Sequence, residues 1–184
     1  MIFAHDTEVA LRSVVNLVNT LDPLDPDGGE HLATGADLDR FLAEEEFTGS
    51  RTHDAAELAA VRTLRSRLRR LWDSTEDEAV ELVNSLLREA QALPQLVKHD
   101  HWDWHLHATT PDAPLADRMG TEAAMAFVDV IRSQELDRLR ICAADDCAAV
   151  LIDLSKNRSK RYCDTGNCAN RTHVRAYRER RAAD

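Results

Sequence analysis

The sequence predicts a mainly α-helical chain: an N-terminal helical domain with a small β-hairpin, followed by a compact module of knuckle, hairpin and helix. Three observations predict it. Apolar residues recur at helical spacing through most of residues 1–139. One short stretch, residues 95–109, alternates apolar and polar side chains instead. All four cysteines fall within residues 140–184, as two pairs of equal spacing.

A chain of 184 residues has room for one medium domain and an appended module, or for two small domains. Its 43% apolar and 30% charged content, rich in Ala, Leu, Arg and Glu, supports a helical core rather than a disordered chain. No apolar run is long enough to cross a membrane. Met1 to Glu8 lacks a basic start and an apolar stretch, so no signal peptide and a cytoplasmic location are expected. Thiols stay reduced there, and paired cysteines point to a metal before a disulfide.

Asp6 is a candidate N-cap for a first helix on which Leu11, Val14, Val15, Leu17, Val18 and Leu21 form the stripe. Asp22-Pro23 ends it, and Pro26 with Gly28-Gly29 marks a loop. Thr34 caps a short helix with Leu38, Phe41 and Leu42 on its apolar face. Asp54, with Glu57 three residues on, resembles a capping box opening a helix through Leu58, Val61, Leu64, Leu68, Leu71 and Trp72. Arg62, Arg65, Arg67, Arg69 and Arg70 read as its solvated face, paired to nearby acids. Thr75 with Glu78 opens the next helix, which Pro94 stops.

In residues 95–109, Trp102, Trp104 and Leu106 alternate with His101, Asp103, His105 and His107, and Gln95-Leu96-Val97 precedes them. This reads as a hairpin with a buried tryptophan face and a polar histidine face. The density of histidines, His99 included, invites a metal reading. It is set aside, because no further ligand stands at a helical spacing to complete a site. A ligand pocket near the two tryptophans is the secondary reading. Past Pro111 and Pro114, a long helix is expected from Leu115 to Leu139, with Met119, Ala123, Phe127, Val130, Ile131 and Leu136 inward. It runs directly into Cys142, so the two modules should stack.

Cys142 and Cys147 form one C-x4-C pair, and Cys163 and Cys168 the other, fifteen residues later. Ala143 to Asp146 and Asp164 to Asn167 are turn-prone and can fold each pair back on itself. Val150-Leu151-Ile152 offers a strand, Arg161-Tyr162 a returning one, and Ala169 to Ala182 a helix free of Pro and Gly. Knuckle, hairpin and helix in that order make a treble-clef-like arrangement. One structural zinc ion held by four thiolates is the leading reading; an iron–sulfur cluster or a redox disulfide pair shares the remainder. The site should be closed, with His173 as the only further ligand candidate in the module.

The net charge of −10 is unevenly spread. Residues 1–154 carry a balance of −16 and residues 155–184 one of +6. An acidic body with a basic tail discourages contact with an anionic polymer through most of the surface and concentrates it at one end.

On Cys142-x4-Cys147, Leu151-Ile152-Asp153-Leu154-Ser155-Lys156-Asn157 and Lys160-Arg161-Tyr162-Cys163-x4-Cys168-Ala169-Asn170-Arg171, the C-terminal module resembles the CGNR zinc finger. Asn16-Leu17-Val18-Asn19-Thr20 is similar to the early D-F-V-N-T segment of the helical ABATE domain that usually precedes that finger. The resemblance implies a stress-induced transcriptional regulator, with a helical domain over 1–139 that senses a small ligand and a DNA-binding finger over 140–184. Two positions depart from the pattern: Ala169 replaces the motif glycine and Asn16 the N-terminal aspartate. Asn170 is expected at the knuckle, and Arg171 either at the thiolates or on a phosphate.

DNA is thus the expected partner, through Lys156, Arg158, Lys160, Arg161, Asn170, Arg171, Arg175 and Arg178. Arg171, Arg175 and Arg178 lie on one helix face. The alternative is a protein-interaction or ligand-sensing module, or an RNA binder, in which zinc is purely structural. Only Tyr162 and Tyr177 in the module could stack on single-stranded bases. An enzyme is the weakest class: no Ser/His/Asp order, paired carboxylates or open metal site is evident, so no catalytic residue is assigned. The apolar helix faces leave room for a homodimer.

Overall fold

The computed structural model describes residues 2–21, 29–98 and 103–183. The predicted turn at Asp22 to Gly28 and the positions of His99, His101 and Trp102 lie outside the described residues. Six α-helices and two two-stranded sheets are described: α1 His5–Val18, α2 Gly35–Glu44, α3 Ala55–Arg69, α4 Glu76–Glu89, β1 Gln95–Val97, β2 His105–His107, α5 Leu115–Arg132, β3 Leu139–Ile141, β4 Val150–Ile152 and α6 Cys168–Ala183. None of these helices is long and apolar enough to cross a membrane.

Side-chain caps set three of the six described helix starts. Thr34 with Asp37 and Thr75 with Glu78 form reciprocal capping boxes. Asp54 accepts from the Glu57 N–H at 2.8 Å, but the Glu57 carboxylate turns back to the N–H groups of Thr52 and His53 and to Arg51 Nε. Asp6 is no cap. α1 starts behind Ala4 without a side-chain cap, and Asp6 sits in its first turn, where a negative charge suits the helix dipole.

The stripes read from the sequence meet in one core. Leu11 and Leu17 of α1, Val61 and Leu68 of α3, Val83 of α4 and Phe127 and Val130 of α5 are buried there. Gly120 lets α5 close on its neighbours, since a Cβ there would stand 3.2 Å from Leu64 Cδ1. Trp72 packs edge-on against Phe127, with centroids 6.0 Å apart.

The arginine face of α3 is only in part the solvated one expected. Arg67 pairs with Glu89 and Arg69 with Asp73 at the surface. Arg65 is buried: it makes two 2.6 Å bonds to Glu30 and one of 3.0 Å to Thr20 Oγ1, while Arg62 caps the carbonyls of Leu32 and Ala33. The segment around residue 30 lies over α3 and turns two of the five arginines into clamps.

Two further expectations are corrected. The last long helix ends at Arg132, not Leu139. Gln134 takes a left-handed φ of 57°, its N–H reaches Ile131 O and that of Glu135 reaches Val130 O, a Schellman closure. The freed residues form a turn and one 3-10 turn, Leu136–Arg138, which lead into β3. This strand, rather than Arg161-Tyr162, is the partner of β4, pairing Leu139 with Ile152 and Ile141 with Val150.

The β1–β2 hairpin forms in the register Gln95 to His107, Leu96 to Leu106 and Val97 to His105. Its polarity is the reverse of the reading. Trp104, Leu96 and Leu106 are exposed, whereas His105 and His107 are half-buried.

β4 is buried on both sides. Val150 and Ile152 join the helical core, and Leu151 joins a second, small core with Cys142, Ala144, Ala149, Cys163 and Cys168. The modules therefore stack through one strand.

Candidate metal centre and basic helix

The cysteine module is built around that strand. The Cys142 N–H bonds Ala149 O at 2.8 Å and the Cys147 N–H bonds Ala144 O at 3.1 Å, which folds residues 142–149 into the first knuckle. The Ala143 N–H takes Arg161 O at 2.8 Å and the Cys163 N–H points to Cys142 Sγ at 3.4 Å, so the second pair is laid against the first. Asn167, at φ 50°, turns the chain into α6, whose first residue is the fully buried Cys168. Ala169 lies within α6 and outside the left-handed region, so no glycine is needed there.

All four Sγ atoms lie within 4.8 Å of one another. Cys147 and Cys163 sulfurs are 3.8 Å apart, and those of Cys163 and Cys168 3.6 Å. Thiolates bound to one zinc at about 2.3 Å in a tetrahedron stand about 3.8 Å from each other. The set fits one zinc ion and is too tight to surround a cluster of several irons. Burial pushes the Cys147 and Cys168 thiols up. Burial acts on Cys163 in the same sense, but donors from Thr165 and Gly166 bring it down to about 7. Sulfurs this close cannot all ionise without a cation among them.

Arg171 supplies part of that charge balance. Its Nη2 is 3.1 Å from Cys168 Sγ, and its guanidinium forks onto Asp146 at 2.8 and 3.3 Å. Of the two roles anticipated for Arg171, the structure puts it at the sulfur. It ties α6 to the first knuckle. Asn170, by contrast, is exposed on α6.

The other basic residues fall into two groups. Arg158 pairs with Glu135 at 2.7 Å and with Asp137, Lys160 with Asp164 at 2.5 Å, and Arg175 loosely with Asp145 and Asp146 at 3.6 and 3.7 Å. Lys156, Arg161 and Arg178 are exposed, with Arg161 6.0 Å from the centroid of the Tyr162 ring.

Several residues that organise the site were not singled out from the sequence. Asp153 is fully buried and accepts from Ser155 N, Ser155 Oγ and Lys160 N, with Arg140 Nη1 at 3.2 Å. Burial raises its carboxyl, yet these donors hold it below the ordinary range. Arg138, also buried, bonds the carbonyls of Asp153 and Ser155. Trp72 Nε1 donates to Leu151 O at 2.9 Å. Asn19 holds Val150 by both its N–H and its carbonyl. Periodicity marked Trp72 only as an apolar stripe residue, and Asn19 and Asp153 were signalled only by their places in motifs; none of these signals named the contacts made here. Asn16 donates to Glu45 at 2.7 Å, a contact that an aspartate there would turn into repulsion.

The family model for ABATE, described as "Putative stress-induced transcription regulator", matches residues 11–134. The chain belongs to the ABATE family. A second model, the CGNR zinc finger, matches residues 138–181 of this ABATE protein and covers all four clustered cysteines. Neither family is described as an enzyme. No curated protein matches the chain. In the ABATE part, a cleft of about 200 Å³ lies between the starts of α2 and α3, lined by Asp39, Arg51, His53, Asp54 and Glu57. The pocket anticipated near the tryptophans is not placed: Trp104 is 66% exposed and Trp102 is outside the described residues.

Proposed function

We propose that this ABATE protein is a DNA-binding transcription regulator divided at residues 139/140, its finger held by one zinc on Cys142, Cys147, Cys163 and Cys168. The observation that carries the reading is the placement of α6. It starts on a buried cysteine and then leaves the body, with Arg175, Arg178, Arg180 and Arg181 exposed along it. A clamp at one end and cations along the rest suit a helix presented to phosphates. Lys156 and Arg161 extend that surface. Arg158, Lys160 and Arg175 can add to it by exchanging their acidic partners for phosphate. The helical domain contributes regulation, with the cleft between α2 and α3 as the place for a small ligand.

The test is a mobility shift of zinc-loaded protein on random duplex DNA at several salt concentrations. With three to five phosphates contacted, log K falls against log salt with a slope of about −3 to −5, and chelation abolishes the shift. No shift at low salt would sink the reading.

One observation favours a second reading. Leu96, Leu106 and Trp104 make an exposed apolar face on the hairpin, which suits self-association. A monomeric mass in solution at high protein concentration would exclude it.

A further inference from the structure

His105 and His107 are two residues apart on β2, so both side chains leave the same face of the sheet. Their Nε2 atoms meet at 3.0 Å, and the rings lie at 69° with centroids 4.8 Å apart, edge towards face rather than stacked. His105 Nδ1 is 2.7 Å from the Asp103 carbonyl oxygen. A carbonyl only accepts, so Nδ1 carries the proton and Nε2 keeps a bare lone pair. That lone pair faces His107 Nε2.

We propose that His105 and His107 are the protein's half of a second, exchangeable site for a late first-row divalent cation, Zn²⁺, Ni²⁺ or Cu²⁺. At about 2.0–2.1 Å from one metal, two imidazole nitrogens stand about 2.9 Å apart at right-angled positions and about 3.3 Å apart at tetrahedral ones, values that bracket the 3.0 Å observed. The Asp103 carbonyl plays the part that outer partners play at metal-bound histidines: it fixes the tautomer and the ring orientation. Without metal, one Nε2–H of His107 can bridge the gap. With metal, His107 carries its proton on Nδ1 instead, and no proton need leave the pair. Imidazole suits these metals and not Mg²⁺ or Ca²⁺, which prefer oxygen. Only two protein ligands are assigned, both on half-buried side chains of the hairpin. Binding there is exchangeable, unlike that in the buried thiolate set.

The site is tested on the full-length, tag-free protein with its tightly held zinc in place. Ni²⁺ is titrated in by calorimetry, histidine side-chain NMR signals are recorded, and a chromophoric chelator reports any released zinc. The expected result is one Ni²⁺ per chain, broadening of the His105 and His107 signals, and no zinc release. His105→Asn and His107→Asn should each weaken binding at least tenfold, a typical penalty for damaging a ligand set. Far-UV circular dichroism confirms that each variant is folded. Binding undiminished in the double variant, Ni²⁺ entering only as zinc leaves, or no Ni²⁺ uptake would overturn the proposal.

Discussion

Asn19, the residue that caps the C-terminus of α1, and Val150 of β4 are joined by two hydrogen bonds of 2.9 Å, one to the Val150 carbonyl and one from its N–H. The carboxamide does for β4 what a neighbouring strand would do, and both partners are buried. Asn19→Ala leaves a buried donor and acceptor unpaired. It should cost about 2–4 kcal/mol in denaturant unfolding, since each buried unsatisfied group costs about 1–3 kcal/mol. A loss below about 0.5 kcal/mol would mean that water replaces the amide.

Elemental analysis should find one zinc per chain, and the native protein should show few or no reactive thiols. Chelation under mild denaturant should free four. Structural zinc contributes on the order of 10–16 kcal/mol to small thiolate sites, so Cys168→Ser should abolish stable retention rather than weaken it slightly.

Arg171 and Arg178 should separate in function although they share a helix face. Arg171→Ala removes the donor at Cys168 Sγ and the fork onto Asp146. It should speed zinc transfer to a competing chelator by about 10–100-fold. Arg178→Ala should leave zinc transfer unchanged and reduce the salt slope of DNA binding by about one. Equal effects of both substitutions on zinc would refute this separation.

Asp153 gives the fold an acid limit. Its folded carboxyl titrates below the ordinary Asp value of about 3.9, so its contribution is fully present above that pH and is lost as pH falls through the folded value. Asp153→Asn should cost about 1–3 kcal/mol at pH 7, and the gap to the unaltered protein should narrow as pH falls below about 4. A gap that stays constant with pH would assign the cost to packing alone.

The helices were legible because burial writes a period into the sequence. The Leu58 to Leu71 stripe and the Thr75–Glu78 box needed nothing else. The cysteine cluster was legible because equal spacing is rare by chance. What could not be read depends on contacts between distant segments. Arg65 looks like its solvated neighbours until Glu30 is laid over it, and β4 gives no sign that its partner precedes Cys142. The hairpin misled because alternation names two faces without saying which one the body covers. Among the basic residues, charge could be counted, but the acids opposite Arg158 and Arg175 come from other turns of the chain.

Val150 and Ile152 also set an order of events during synthesis. A ribosome delivers residues 1–132 first, yet the helices they form still lack the two side chains that fill their seam beside α1. The nascent body waits, with apolar surface bare, until the chain through Ile152 has emerged. By then Cys142 and Cys147 are already out, and Cys163 and Cys168 are close behind. Metal capture and completion of the body therefore fall within the same short interval of translation.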